Sequence, residues 1–272
     1  EHLDFYRDLA QIKAVFLDFL HRVPFYGLCV LCLDNEAIQD IIPKIEKRFT
    51  TYGLTSQADF RAVKVRFEGL TSLFEVEYQG QPLGQIRLNL AGVHNVYNAL
   101  ASIAVGRELG IGFDVIKQAL ETLEGVQRRL EIKGRQAGVT VVDDYGHHPT
   151  EIKSTLQAVR EGWPDKRVVV VFQPHRYTRT KALFTEFTRA FYESDLLLVM
   201  PIYSAGEAVI ETVNSQQLCE QIGNHGHKNV HYCPSHEQVL DRLSQTVAPG
   251  DLVITLGAGD VFKVGEALLK RL

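Results

Sequence analysis

Apolar residues recur with a helical period from Asp4 to Pro24: Leu9, Ile12, Phe16 and Leu20 share one face, and Pro24 ends the run. "GLCVLCLD" (27–34) reads as a strand. "EAIQDIIPKIEKR" (36–48) reads as a helix disturbed by Pro43. "TSLFEVEYQGQPLGQIRLNL" (71–90) alternates on both sides of a Gly/Pro turn, the pattern of a β-hairpin. Two helical patterns follow, "HNVYNALASIAVGRELG" closed by Gly110, and "FDVIKQALETL".

Beyond about Gly134 the rhythm changes. The short apolar runs "VTVVDD", "RVVVVFQ", "DLLLVMP", "NVHYC" and "DLVITLG" alternate with helical stretches such as "TEIKSTLQAVREGW" and "TKALFTEFTRAFYE". Such alternation predicts βαβ units and an α/β fold with a doubly wound, mostly parallel sheet. The expected domain boundary lies near 132–135, dividing the chain into 1–132 and 133–272. Ligands of parallel sheets bind outside the carboxyl ends of the strands. Polar segments stand at those ends here: Asp143 to His148, "QPHRYTRT", "PIYSAGEA" and "GAGD". Four polar edges on one rim predict a composite site.

The chain has 272 residues and a formal net charge of -4, which argues against a dedicated nucleic-acid binder. No apolar run is long enough to span a bilayer and no secretory signal pattern opens the sequence, so no membrane partner is expected. Four cysteines are sparse usage that fits a reducing cytoplasm. Cys29 and Cys32 form a C-x-x-C inside an apolar strand, where positions i and i+3 face opposite sides; this reads as packing.

"DDYGHHPTEI" (143–152) concentrates titratable groups at one strand tip. A helix cap accounts for Pro149 and one aspartate but leaves Tyr145 and two histidines over. Zinc is disfavoured, because adjacent histidines diverge and no partner stands nearby. Arg176 and Arg179 lie three apart just past a strand, placed to converge on one anion at a helix start. Asn95 and Asn98, at i and i+3 of an opening helix, offer the amide edge that pairs with adenine; capping explains one of them equally well. Arg128 and Arg129 read as a solvated pair unless a ligand lies near them. An oxidoreductase is excluded for want of a G-x-G-x-x-G between a strand and a helix.

"EHLDFY", "GVHNVYNA", "QRRLE", "DDYGHHPTE", "FQPHRYTRT", "YSAGEA" and "GAGD", in this order, resemble the Mur ligases across essentially the whole chain. The likeness is greatest to the branch that adds L-alanine to UDP-N-acetylmuramate. A tripeptide-recycling branch more often has Phe-Ala where Tyr145 and Gly146 stand. The resemblance implies three domains: one for the UDP-sugar, a central ATPase, and a Rossmann-like domain for the amino acid. This sequence opens inside the central one and has no G-x-x-x-x-G-K-[ST] loop. It therefore reads as a C-terminal fragment, expected to be inactive alone; a non-catalytic nucleotide- or amino-acid-binding module is the alternative. The resemblance further implies ATP and Mg2+ as cofactors, UDP-N-acetylmuramate and L-alanine as substrates, and an acyl phosphate intermediate in peptidoglycan synthesis. Carried over residue by residue, His2 is linked to magnesium. His94, Asn95, Asn98 and Arg129 hold the nucleotide, with Asp143 or Asp144 adding a contact. Tyr145, His147, Arg176 and Arg179 form the alanine pocket, and the last three are the candidate catalytic residues.

Overall fold

A computed structural model describes residues 6–272. The chain divides into two compact units, Glu1–Glu124 and Gly125–Leu272.

The first unit opens with helix α1 (Leu9–His21), capped by Asp8, whose carboxylate accepts from the Gln11 amide. The predicted face forms, but only Leu20 is buried; Leu9 is 56% and Phe16 52% exposed. Strand β1 (Cys29–Cys32) follows, then a single turn α2 (Glu36–Gln39) and a 3-10 turn (Ile42–Lys44). The long helix read over 36–48 is thus broken, as Pro43 requires: proline gives no amide to an α-helical ladder. Strands β2 (Phe49–Gly53), β3 (Phe60–Glu68), β4 (Thr71–Tyr78) and β5 (Gln81–Leu88) complete a sheet ordered β1-β2-β3-β4-β5. The predicted hairpin is β4–β5, joined through Gln79 and Gly80, both at positive φ as its tight turn demands. Helices α3 (Val93–Glu108) and α4 (Phe113–Glu121) cover it, with Val96, Leu100, Ile103 and Ile116 packed on Phe60, Phe74, Val76 and Ile86.

The second unit holds β6 (Glu131–Gln136), β7 (Val139–Asp144), helix α5 (Pro149–Gly162), β8 (Val168–Phe172), α6 (Tyr177–Ala182), α7 (Phe184–Phe187) and β9 (Leu196–Val199). It continues through α8 (Ser215–Asn224), β10 (Val230–Tyr232), α9 (His236–Thr246), β11 (Leu252–Leu256) and α10 (Phe262–Arg271). The sheet order is β10-β9-β8-β11-β7-β6, parallel except for β6. Every residue of β7, β8, β9 and β11 is buried, as expected for a sheet covered on both faces. On one face Val141, Val169, Val171, Leu198 and Val253 pack under α9 and α10, through Leu243, Val264 and Leu268. The register aligns the strand ends: Leu256 pairs with both Asp144 and Phe172, and Phe172 with Val199. The polar segments after these four strands therefore do share one rim.

Two readings change. The helix over 180–193 is two short helices with a break at Leu183, and Phe187 and Phe191 both pack against Phe172 as tilted rings, with centroids at 5.7 and 4.9 Å. Segment 125–132 belongs to the second unit, ahead of the boundary read near 132–135, because Arg128 and Leu130 are hydrogen-bonded to the β7 tip.

Candidate functional site

The rim of the second unit is built from the tip of β7 outward. Asp143 is 1% exposed; one carboxylate oxygen accepts from Arg128 Nε at 2.8 Å and the other from Thr255 Oγ1 at 2.6 Å. Asp144 is as deeply buried and accepts from the Leu130 amide at 2.9 Å, the Gly146 amide at 2.8 Å and Thr155 Oγ1 at 3.1 Å. Burial pushes the Asp144 carboxyl above its usual value, against the pull of those donors. Both aspartates thus turn inward and organise the loop, rather than reaching outward to a nucleotide as the resemblance implied. A Cβ on Gly146 would stand 2.8 Å from an Asp144 oxygen, so the bend needs glycine there.

Arg128 is no solvated residue. Its Nη2 donates to the Gly257 carbonyl at 2.7 Å, and its guanidinium lies 4.9 Å from both the Tyr145 and Phe262 ring centroids. Arg129 is the accessible one of the pair, with half of its side chain exposed and Glu151 at 3.5 Å.

The two histidines divide the work. His148 caps α5: its Nδ1 accepts from the Thr150 amide, while Glu151 accepts from the amides of His147 and His148. The cap expected from an aspartate is therefore supplied by His148. His147 makes no cap, and its Nδ1 lies 3.6 Å from a Glu151 oxygen. Its Nδ1 lies 3.0 Å from the Tyr145 carbonyl, which only accepts, so the neutral ring carries its proton on Nδ1 and accepts at Nε2.

From His147 a row of rings crosses the rim. Tyr145 meets His147 edge-on at 5.3 Å, His147 lies 5.9 Å from His175, and His175 stacks on Tyr203 at 5.7 Å with a 9° tilt. His175 and Tyr203 were not singled out from sequence. The signal was present, since each sits in a polar segment after a strand, but their contact depends on a parallel bridge between the two loops. Arg179 Nη1 stands 3.2 Å from His175 Nδ1. Burial, and then the positive charge of Arg179, push the His175 imidazole down to about 4. Arg176 extends from the same turn and is exposed. The start of α6 is not an open anion site, because Glu207 already accepts from the Thr178 amide and hydroxyl, at 3.1 and 2.6 Å.

"GAGD" packs tightly beneath this row. A Cβ on Gly259 would meet Gln173 Oε1 at 2.3 Å and Tyr203 Cγ at 2.8 Å. Gln173 in turn donates to Asp260 at 2.8 Å and accepts from the Val261 amide at 3.2 Å.

In the first unit, the expected nucleotide residues open α3. Asn95 Nδ2 donates to the Ala91 carbonyl at 2.8 Å and lies 3.1 Å from His94 Nε2. Asn98 Nδ2 donates to Asn95 Oδ1 at 3.3 Å, so the two amides form one polar patch. Neither side chain caps the helix, whose N-cap is Gly92 at φ 89°. Between the two asparagines in sequence, the Tyr97 hydroxyl donates to Asp34 at 2.9 Å, and Asp34 also accepts from the amides of Leu54 and Thr55. Burial, and then the hydrogen bond to Asp34 and that carboxylate's charge, hold the Tyr97 hydroxyl well above its usual range. His2 lies outside the described residues. Among the described residues no group of three or more His, Cys, Asp or Glu is placed to hold a metal ion. No helix among them is long and apolar enough to cross a membrane.

Known proteins share this arrangement. Residues 1–106 match the Mur ligase middle domain and residues 128–259 match the glutamate ligase domain of Mur ligases. The chain is 62% identical over its full length to a UDP-N-acetylmuramate–L-alanine ligase of Desulforapulum autotrophicum, and 57% identical over 269 residues to one of Desulfatibacillum aliphaticivorans. It spans about 60% of the length of these curated relatives. Its fold matches the crystal structure of the UDP-N-acetylmuramate-alanine ligase of Thermotoga maritima, with TM-score 0.79 and 24% identity, over all of this chain and 57% of that one. The MurF ligase of Thermotoga maritima in complex with ADP matches with TM-score 0.76 and 19% identity, over 99% of this chain and 59% of that one. With both of its units matched, the chain belongs to the Mur ligase family.

Proposed function

We propose that this chain forms the nucleotide- and amino-acid-binding parts of an ATP-dependent ligase that joins L-alanine to the lactyl carboxylate of UDP-N-acetylmuramate, in the cytoplasmic steps of peptidoglycan synthesis. The observation that carries the reading is the row Tyr145–His147–His175–Tyr203 with Arg176 and Arg179 beside it, on a chain so similar to ligases named for this reaction. The units Glu1–Glu124 and Gly125–Leu272 correspond to the ATP-binding and amino-acid-binding parts. In the first, His94, Asn95 and Asn98 hold the adenine edge; in the second, Arg129 meets the phosphates and Asp143 and Asp144 serve indirectly, by fixing the loop. A cytoplasmic place fits the four free thiols.

The chemistry must turn a poor electrophile into a good one. The lactyl carboxylate attacks the terminal phosphorus of ATP and ADP leaves, giving an acyl phosphate. The amine of alanine attacks its carbonyl carbon, phosphate leaves and the amide forms. Arg176 and Arg179 hold the alanine carboxylate with charge-assisted hydrogen bonds. His147, protonated on Nδ1, takes the proton that the amine must lose at Nε2. His175 stays uncharged beside Arg179 and so does not compete for the carboxylate.

A segment exchange tests this. Replace the matched region of the Desulforapulum autotrophicum ligase with this chain, and measure phosphate release with ATP, UDP-N-acetylmuramate and L-alanine. Alanine-dependent turnover within about tenfold of the parent is expected, a loss of at most ~1.4 kcal/mol. Turnover with a tripeptide but not with alanine would reassign the substrate, and no turnover with either would refute the reading. The 272-residue chain by itself, which carries no G-x-x-x-x-G-K-[ST] loop, should release no phosphate.

A further inference from the structure

Arg176 has φ 70° and ψ 137°, a backbone region that residues with a Cβ rarely occupy. Something must hold it there. Two backbone hydrogen bonds do so directly: the Arg176 amide donates to the Tyr203 carbonyl and the Tyr203 amide to the Pro174 carbonyl, each at 2.8 Å. They tie the segment after β9 onto the segment after β8, as a parallel bridge between His175 and Tyr203. The far end of that segment is fixed by one side chain. Glu207 accepts from both the amide and the hydroxyl of Thr178, two residues past Arg176. Between the two ties the segment turns back through Ala205 and Gly206, both at positive φ, and the Glu207 amide donates to the Ser204 carbonyl at 3.0 Å. On its other side Tyr203 is braced against Gly259.

We infer that Glu207 is a positioning residue: through Thr178 it latches the 203–207 segment onto the start of α6, holds Arg176 in its strained conformation and so aims Arg176 and Arg179 at a carboxylate. The Asp143 and Asp144 carboxylates accept from Arg128, Leu130, Gly146, Thr155 and Thr255, and from no residue of the 174–178 or 203–207 segments. The function of the aim rests on the amino-acid reading given above; the latch itself does not. Glutamate suits the position because both carboxylate oxygens are used, one for the Thr178 amide and one for its hydroxyl, with the Tyr177 amide a further donor to the same carboxylate. Glutamine keeps one acceptor and should keep part of the effect, whereas alanine keeps none.

Hydrogen exchange on the 272-residue chain tests the latch, and L-alanine titration followed by NMR tests the aim. In Glu207→Ala the amides of Arg176 and Tyr203 should exchange at least about tenfold faster, as expected for a local opening, while those of Val168–Phe172 stay protected. Glu207→Gln should fall between the two. Adding Arg176→Gly to Glu207→Ala should slow Tyr203 exchange again, since glycine takes this backbone conformation without strain. Unchanged exchange at Arg176 and Tyr203 in Glu207→Ala, or loss confined to Thr178, overturns the latch. In the wild-type chain L-alanine should shift the Arg179 guanidinium signals, and in Glu207→Ala the midpoint should rise about tenfold. An equal midpoint in both overturns the aim. No shift in the wild-type chain, with Arg176 and Tyr203 still protected, sinks the amino-acid reading and the aim together and leaves the latch standing.

Discussion

His175 lies between the ring of His147 and the guanidinium of Arg179, and both neighbours oppose a positive charge on it. Its Nδ1 can accept from Arg179 only while unprotonated. Burial and these charges lower its folded-state value from 6.5 to about 4. In the unfolded chain the same ring takes up a proton near its ordinary value. Between about pH 6.5 and 4 the unfolded state therefore binds more protons, and stability falls as the pH falls through that window. Above about 6.5 the residue contributes no slope. In His175→Gln, where an amide oxygen can still accept from Arg179, the plot of urea midpoint against pH should be flatter across that window. An equal slope in both proteins would show that His175 is protonated as readily folded as unfolded. Sequence proximity carries no sign of this environment. The rim rule brought Arg176, Arg179 and His147 to one edge, but the row through Tyr203 rests on a bridge between two loops.

Elements were legible where the chain is buried on both faces. The runs behind β7, β8, β9 and β11 are uninterrupted and apolar, so both composition and length mark them as strands. Strand β6, "EIKGRQ", has no fully buried residue and carries three charges, Glu131, Lys133 and Arg135, so no apolar pattern marks it as a strand. Strand β3 is hard to read for a different reason, since alternation in "FRAVKVRFE" is interrupted by an irregularity between Val63 and Arg66. The start of α5 was read correctly but assigned to the wrong cap. An aspartate was expected; both aspartates are buried beneath the loop, and His148 takes the position. A cap is tested by replacement. His148→Ala should cost about 0.5–2 kcal/mol in urea unfolding, and His148→Asp should recover most of it, because a carboxylate accepts from the first-turn amides equally well. If His148→Asp is as unstable as His148→Ala, the ring contributes through packing and not through its Nδ1 acceptor.

At the scale of the whole chain, the change of rhythm near Gly134 correctly marks where a second hydrophobic pattern starts, yet the compact unit begins at Gly125. Hydrophobic periodicity cannot see the difference, because residues 125–130 contribute polar contacts. Arg128 pairs with Asp143 at 2.8 Å, where only 1% of the aspartate side chain is accessible, and the Leu130 amide donates to Asp144. A polypeptide of residues 134–272 keeps all of the parallel sheet but removes both partners, together with the first half of β6. Removing one member of a buried ion pair costs about 3–5 kcal/mol, because the remaining charge stays desolvated. Against a total stability of about 5–15 kcal/mol, that is enough to leave the shorter unit marginal. Residues 125–272 should therefore unfold cooperatively, with slowly exchanging amides in β7, β8 and β11. Residues 134–272 should show a much lower urea midpoint with the same protected strands, or none. Lowering the pH to protonate Asp144, whose carboxyl burial pushes up, should narrow the gap between the two polypeptides, since a neutral carboxyl loses less when its donor is absent. Equal midpoints at neutral pH would mean that the 125–133 segment only decorates the second unit, and that its boundary is set by the hydrophobic pattern alone.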